Sequence, residues 1–245
     1  MTICELSLSK PSDLPVYVKL AAVTMVWGGT FVAGRYLAGS LSPLLAASLR
    51  FLLASVALLL LVRALRTPLV RPNARQWLQL LLLGFFGIFF YNLCFFYGLH
   101  YINASRASLI VALNPAVIGL AAWLLFKERL NRAKVIGIAI CMAGASLVIV
   151  SRDPQVLAGG ADTWLGDLLI FGCVLGWGVY SLCSRELNQA LGPVQTVTYS
   201  ILLGTAMLWM TCIVRGEVSV AAIAHLGAQQ WLSLLYLVVL GSALA

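Results

Sequence analysis

Apolar residues run along the chain in blocks of roughly 18 to 24, about the length at which an α-helix covers the hydrocarbon core of a bilayer, and short polar breaks separate the blocks. The pattern predicts membrane-crossing helices near 18–38, 44–62, 77–99, 104–126, 133–150, 163–184, 193–214 and 230–245. A soluble protein cannot hide that much uninterrupted hydrocarbon, so the predicted fold class is an all-α integral membrane protein, a multi-span helical bundle. The last block holds sixteen residues including Gln230, fewer than the roughly 20 of a comfortable crossing.

Composition supports this picture: 62% of residues are apolar and 10% are charged, too few to clothe a soluble surface. Residues 1–16 form a polar leader, with Lys10, Pro11 and Asp13, too short to fold. A basic leader before an apolar run raises the idea of a signal peptide. No persuasive cleavage site follows, so the first helix is expected to stay.

The net charge of +8 raises nucleic acid as a partner, and the placement of the charges argues against it. Arg63, Arg66, Arg71 and Arg75 fall in one helix connection; Lys127, Arg129, Arg132 and Lys134 fall in another. Such clusters flank membrane spans and hold loops in the cytoplasm. With the amino terminus inside, these eight join Lys10, Lys19 and Arg185 on the cytoplasmic side, while Arg152 and Arg215 lie opposite with Asp153, Asp162 and Glu217. An inside amino terminus is therefore expected. No aromatic-interleaved basic surface accompanies the charges, so no nucleic-acid partner is expected.

Short connections make successive helices antiparallel neighbours and leave no room for an inserted catalytic domain. The six cysteines, among them Cys94, Cys141, Cys173, Cys183 and Cys212, lack metal-ligand spacing, and no metal or cofactor is predicted. His100 and His225 have no serine, cysteine or acidic partner in a catalytic arrangement, so the chain is not expected to be an enzyme.

The chain also repeats itself. Trp27, Gly28, Arg35 and Pro43 recur 150 positions later as Trp177, Gly178, Arg185 and Pro193. Gln76, Trp77, Leu78, Leu81 and Gly87 recur 154 positions later as Gln230, Trp231, Leu232, Leu235 and Gly241. The order and spacing predict two related halves. Five spans in the first half, an odd number, invert the second, which is the repeat geometry of many alternating-access transporters. The expected organisation is a first repeat over 17–150, an outer connection over 151–162, and a second repeat over 163–245 that is incomplete. By the repeat, about 55 to 60 residues would finish it.

Several residues stand out against the apolar background. Trp27 and Trp177 hold equivalent places, followed by Thr30 in one half and Tyr180 in the other; they are candidates for a central solute cavity or for packing and interfacial anchors. Arg35 and Arg50 sit in or near span ends, suited either to an anionic solute group or to snorkelling toward the interface. Asn92, beside Tyr91, must find amide partners inside the bilayer, from solute or a neighbouring helix. Asn114 and Pro115 fall near the middle of the fourth span, where proline frees a carbonyl and makes a hinge or a static kink. Glu128, flanked by Lys127 and Arg129, suits a structural lock at the inner end better than proton carriage.

These residues carry a family resemblance. The Trp27-Gly28 opening, Ser42-Pro43, Arg50, Tyr97-Gly98-Leu99, the Ala104 to Ser108 helix start, the run from Asn114-Pro115 through Trp123, Glu128, Leu130, Gly137 and Gly144, and the restart at Trp177-Gly178 and Pro193 together resemble the EamA-type exporters of the drug/metabolite transporter superfamily. The resemblance implies ten spans in two inverted five-helix repeats, a bacterial inner-membrane location, and export of small organic metabolites, often amino acids or drug-like compounds. It also implies a central cavity faced by Trp27 and Asn92 from one half and Trp177 and Tyr180 from the other, with Glu128 stabilising the inner end. The chain departs from the pattern by ending within its eighth span. The expected partners are a small organic solute and membrane lipid. The competing expectation is a non-transporting structural subunit that needs a homodimer mate, a partner membrane subunit or further helices.

Overall fold

The computed structural model describes residues 14–66, 69–127, 131–152 and 162–239. Every regular element among them is helical: α1 (Leu14–Ala38), α2 (Pro43–Ala64), α3 (Ala74–Leu83), a π-helical segment (Gly84–Phe90), α4 (Tyr91–Tyr101), α5 (Ala104–Val111), α6 (Asn114–Phe126), α7 (Arg132–Arg152), α8 (Thr163–Leu191), α9 (Pro193–Val214), α10 (Val220–Ala224) and α11 (Ala228–Val238). Helix α1 starts at Leu14, inside the stretch expected to be leader.

Local chemistry explains the boundaries. Ser42 accepts from the Leu45 amide ahead of Pro43, which suits a first helical position because its missing N–H would have no partner there. Asn73 and Gln76 exchange side-chain and backbone bonds in a capping box that starts α3. Between α8 and α9 the chain turns at Gly192 with φ of 84°, a conformation that a Cβ disfavours, and Pro193 opens the next helix.

Among the described residues, six stretches are long and apolar enough to cross a membrane: Tyr17–Ala38, Pro43–Ala64, Ala74–Tyr101, Ala104–Leu124, Thr163–Leu191 and Pro193–Val214. Of the other two expected spans, α7 is a helix of 21 residues whose apolar stretch is Val135–Gly144, and α11 is described through Val238. Large apolar side chains such as Met25, Leu60, Leu124 and Met210 point outward, as a bundle solvated by lipid tails requires.

Two continuous spans expected from the sequence are modified. The third contains the π-helical segment, and the fourth breaks at Ala112–Leu113, one turn before Pro115. Proline has no N–H for the Val111 carbonyl, and its ring crowds that oxygen, so the helix cannot run through.

The side-chain contacts fix the relative direction of the helices. Phe31 meets Phe95, and Arg35 reaches Leu99, so α1 and α4 run parallel. Cys173 bonds to the Tyr91 carbonyl at 3.3 Å, while Gly98 lies against Ile170, so α4 and α8 run antiparallel. Trp209 Nε1 donates to the Ser48 carbonyl at 3.0 Å, and Thr205 Oγ1 lies 2.9 Å from Ser55 Oγ, so α2 and α9 also oppose each other. Tyr236 OH donates to Val26 O at 2.8 Å and Gln230 to Ser40 at 3.4 Å, setting α11 against α1 in the same sense. Both Trp27–Trp177 and Ser55–Thr205 are contacts between residues 150 positions apart.

Packing is uneven along the bundle. At the end marked by the 39–42 loop, a large cluster includes Leu37, Leu44, Leu45, Phe96, Leu99 and Ile170, all essentially without exposure. At the end marked by the 65–73 loop, a smaller cluster of Leu80, Leu83 and Leu187 gathers Leu191, Tyr199 and Leu203.

Candidate functional site

Between the two clusters lies a cavity of about 350 Å³, within the range of sites for small molecules. Its walls follow helical periodicity. Helix α1 contributes Trp27, Thr30 and Phe31; α8 contributes Trp177, Tyr180, Ser184 and Asn188. These α8 positions fall three or four apart, so they share one face. The π-helical segment and α4 add Gly87, Ile88, Tyr91, Asn92 and Phe95; α2 adds Arg50 and Phe51; Val111 and Asn114 flank the break in the fourth span, and α9 adds Val197 and Ile201.

Aromatic rings form one wall. Trp27 meets Trp177 edge-on at 5.8 Å between centroids, Trp177 stacks on Tyr180 at 5.2 Å, and Tyr91 lies 5.9 Å from Trp177. Such spacings are favourable for ring pairs and present π faces to an organic solute. Tyr180 can lie this way because position 87 is glycine: a Cβ there would overlap the Tyr180 ring.

Arg50 is the charged wall. The residue is 7% exposed, and its guanidinium carbon sits 5.0 Å from the Phe51 ring centroid. It donates to Asn92 Oδ1 at 3.2 Å, and Asn92 Nδ2 donates in turn to the Ile88 carbonyl at 2.7 Å. A polar relay thus runs from α2 through α4 to the π-helical segment. It satisfies both ends of the Asn92 amide and holds a cation at the cavity.

Trp27, Thr30, Arg50, Tyr91, Asn92, Asn114, Trp177 and Tyr180 therefore share one cavity. Arg35 does not line it. Its guanidinium donates to the Leu99 carbonyl and, at 3.1 Å, to the His100 carbonyl, neutralising the last turn of α4. Pro115 is exposed at the start of α6. Glu128 lies outside the described residues.

Sequence reasoning missed Ser184 and Asn188, although their spacing of four and eight from Tyr180 carried the signal. It also missed Asp167. Arg106 Nε and NH2 grip both carboxylate oxygens of Asp167, at 2.7 and 2.6 Å, tying α5 to α8 at the 39–42 end. At the opposite end Arg75 and Gln79 hold Glu186 at 3.2 and 2.9 Å, and Val70 N donates to Gln195 at 3.1 Å. Among the described residues no group of acidic, histidine and cysteine side chains is arranged to hold a metal ion.

Comparison with known proteins gives a consistent result. The model of the EamA-like transporter family matches residues 15–150 and 164–245. The uncharacterized transporter YyaM of Bacillus subtilis is 29% identical over 198 residues, which are 80% of this chain and 64% of that protein. YetK of the same organism, also an uncharacterized transporter, is 26% identical over 196 residues, 78% of this chain and 58% of that one. An uncharacterized transporter of Archaeoglobus fulgidus is 27% identical over 200 residues, covering 82% and 68%. The matched region thus spans about three fifths of the length of the two Bacillus relatives. A solved crystal structure shares the fold with a TM-score of 0.64 at 24% identity, over 91% of this chain and 76% of that one. Matched by the family model across both the helices before the 151–163 connection and those after it, this membrane protein belongs to the EamA-like transporter family.

Proposed function

We propose that this chain forms the body of a secondary transporter that exports small organic metabolites bearing an anionic group, amino acids and drug-like compounds among them, across a bacterial inner membrane. The observation that carries this reading is the buried Arg50 guanidinium, held by Asn92 in an aromatic-walled cavity to which both repeats contribute. A fixed cation in a low-dielectric cavity favours carboxylate or phosphate, and the rings accept the organic remainder. With the amino terminus inside, the 39–42 end is the outer one.

Alternating access fits the opposed directions of α2 and α9 and of α4 and α8. The outer end is packed and latched by Arg106–Asp167, while Ser184, Asn188 and Val197 extend the cavity toward the inner end. The described state is thus poised to receive solute from inside. Transport would need the outer latch to open and the inner contacts of Glu186 and Gln195 to tighten.

A second reading is a membrane subunit that acts only with a partner. Reconstitution into sealed liposomes separates the two. Saturable, protein-dependent flux of carboxylate-bearing solutes is expected, with the apparent affinity falling about tenfold or more in Arg50→Leu. Flux identical in the wild type and Arg50→Leu would remove Arg50 from binding. Absence of flux from a folded sample would assign the chain to the second reading.

A further inference from the structure

Two buried thiols meet where the helices before the 151–163 connection pack on those after it. Cys94 of α4 and Cys173 of α8 are 6% and 0% exposed, and their side chains are hydrogen-bonded to each other. Cys173 Sγ also reaches the carbonyl of Tyr91, one turn back on α4, at 3.3 Å. Neither cysteine lines the cavity.

A disulfide needs two sulfurs that face each other on backbones lying close together, and the seam between α4 and α8 supplies both. On one side of the thiols, a Cβ at Gly166 would come within 3.3 Å of the Gly98 carbonyl oxygen; on the other, a Cβ at Gly176 would come within 2.9 Å of the Phe86 carbonyl oxygen. Glycine at these places lets the backbones approach, and a Cβ at Gly172 would meet Cys94 Sγ itself at 3.1 Å. The thiols are held between two close crossings. They also lie between the aromatic wall and the large cluster at the 39–42 end. Cys94 follows Tyr91 by one turn and Cys173 precedes Trp177 by one turn, with Phe96, Leu99 and Ile170 beyond them.

We infer that Cys94 and Cys173 form a modification site, which a small neutral halogen oxidant converts to a disulfide that ties α4 to α8 and holds the 39–42 end shut. The first sulfur attacks the halogen molecule, forming a sulfur–halogen bond and releasing one halide and its thiol proton. The second sulfur displaces the other halide, forming the S–S bond and losing its own proton. With molecular iodine, two thiols and one I2 give one disulfide, two iodide ions and two protons, so the thiols lose the two electrons that iodine gains. Burial keeps water and bulky or charged reagents away. Iodine is apolar, dissolves in the bilayer and is small enough to enter the seam as it opens locally.

The effect on flux rests on the transport reading, whereas the bond and the closure of the seam are measured without it. Purified chain in nanodiscs is treated with iodine, quenched in denaturant with N-ethylmaleimide, digested and analysed by mass spectrometry. A peptide joining Cys94 to Cys173 is expected, absent from Cys94→Ala and Cys173→Ala and lost on reduction with a phosphine. Hydrogen exchange at 98–102 and 163–167 should slow in the linked fraction and recover on reduction. In sealed liposomes, flux should fall in proportion to the linked fraction, and both alanine variants should keep theirs after iodine. No joined peptide in the wild type overturns the site. A joined peptide with exchange unchanged at both segments, or with flux unaffected, overturns the closure it is said to impose. Slowed exchange in a chain that shows no flux before oxidation leaves the tie standing and removes the transport reading instead.

Discussion

At Gly87 the absence of one carbon decides the shape of the cavity wall. The Tyr180 ring occupies the space a Cβ would need, and Trp177 stacks on that ring. Gly87→Ala should displace the Tyr180 ring and destabilise the fold by about 1–3 kcal/mol, the usual cost of overpacking. Thermal unfolding of the variant in detergent checks this. The aromatic and amide residues were legible in the sequence because a polar or bulky amphipathic group inside a twenty-residue apolar run has few uses. Asp167 was not legible. Its partner Arg106 is 61 positions away, and nothing local marks the two as neighbours. Arg35 shows the converse: its conspicuous charge serves the carbonyls ending α4, a role that depends on two helices meeting.

Among the elements, the fourth span is the one whose interruption follows from a single residue. Pro115 leaves the Val111 carbonyl without its helical donor, and both Val111 and Asn114 line the cavity. Pro115→Ala should allow a continuous helix across Ala112–Leu113 and shift Asn114 within the cavity lining. Hydrogen exchange should then show new protection at the amide of residue 115. Helix existence was legible from block length, since most blocks matched the thickness of a membrane core. The π-helical segment was not, because Gly-Phe-Phe-Gly-Ile-Phe-Phe is equally apolar in either helical form. Its wider turn is visible only through what it holds, the Ile88 carbonyl that anchors Asn92.

For the whole molecule, the Arg106–Asp167 pair ties α5 to α8 at the end that also holds the larger apolar cluster. Its side chains are 18% and 30% exposed, and its two parallel bonds make it stronger than a surface pair. Asp167→Asn should destabilise this closed end by about 1–3 kcal/mol. The exchange Arg106→Asp with Asp167→Arg should recover most of the loss. Thermal unfolding in detergent reads both. By contrast, Arg75–Glu186 at the other end is well exposed, and its removal should be nearly silent in the same assay. The recurring Trp-Gly and Pro positions predicted two related halves, and the odd number of spans predicted that the second is inverted, but which helices meet, such as α2 and α9 at Ser55–Thr205, came only from the structure. The encounter of Trp27 with Trp177, 150 positions on, sets like against like. Because both sides of the contact lie in one chain, a substitution alters one side at a time, as it would not where two identical chains met across a twofold axis. Unlike pairs can therefore stand at the same separation, as Ser55 facing Thr205 does.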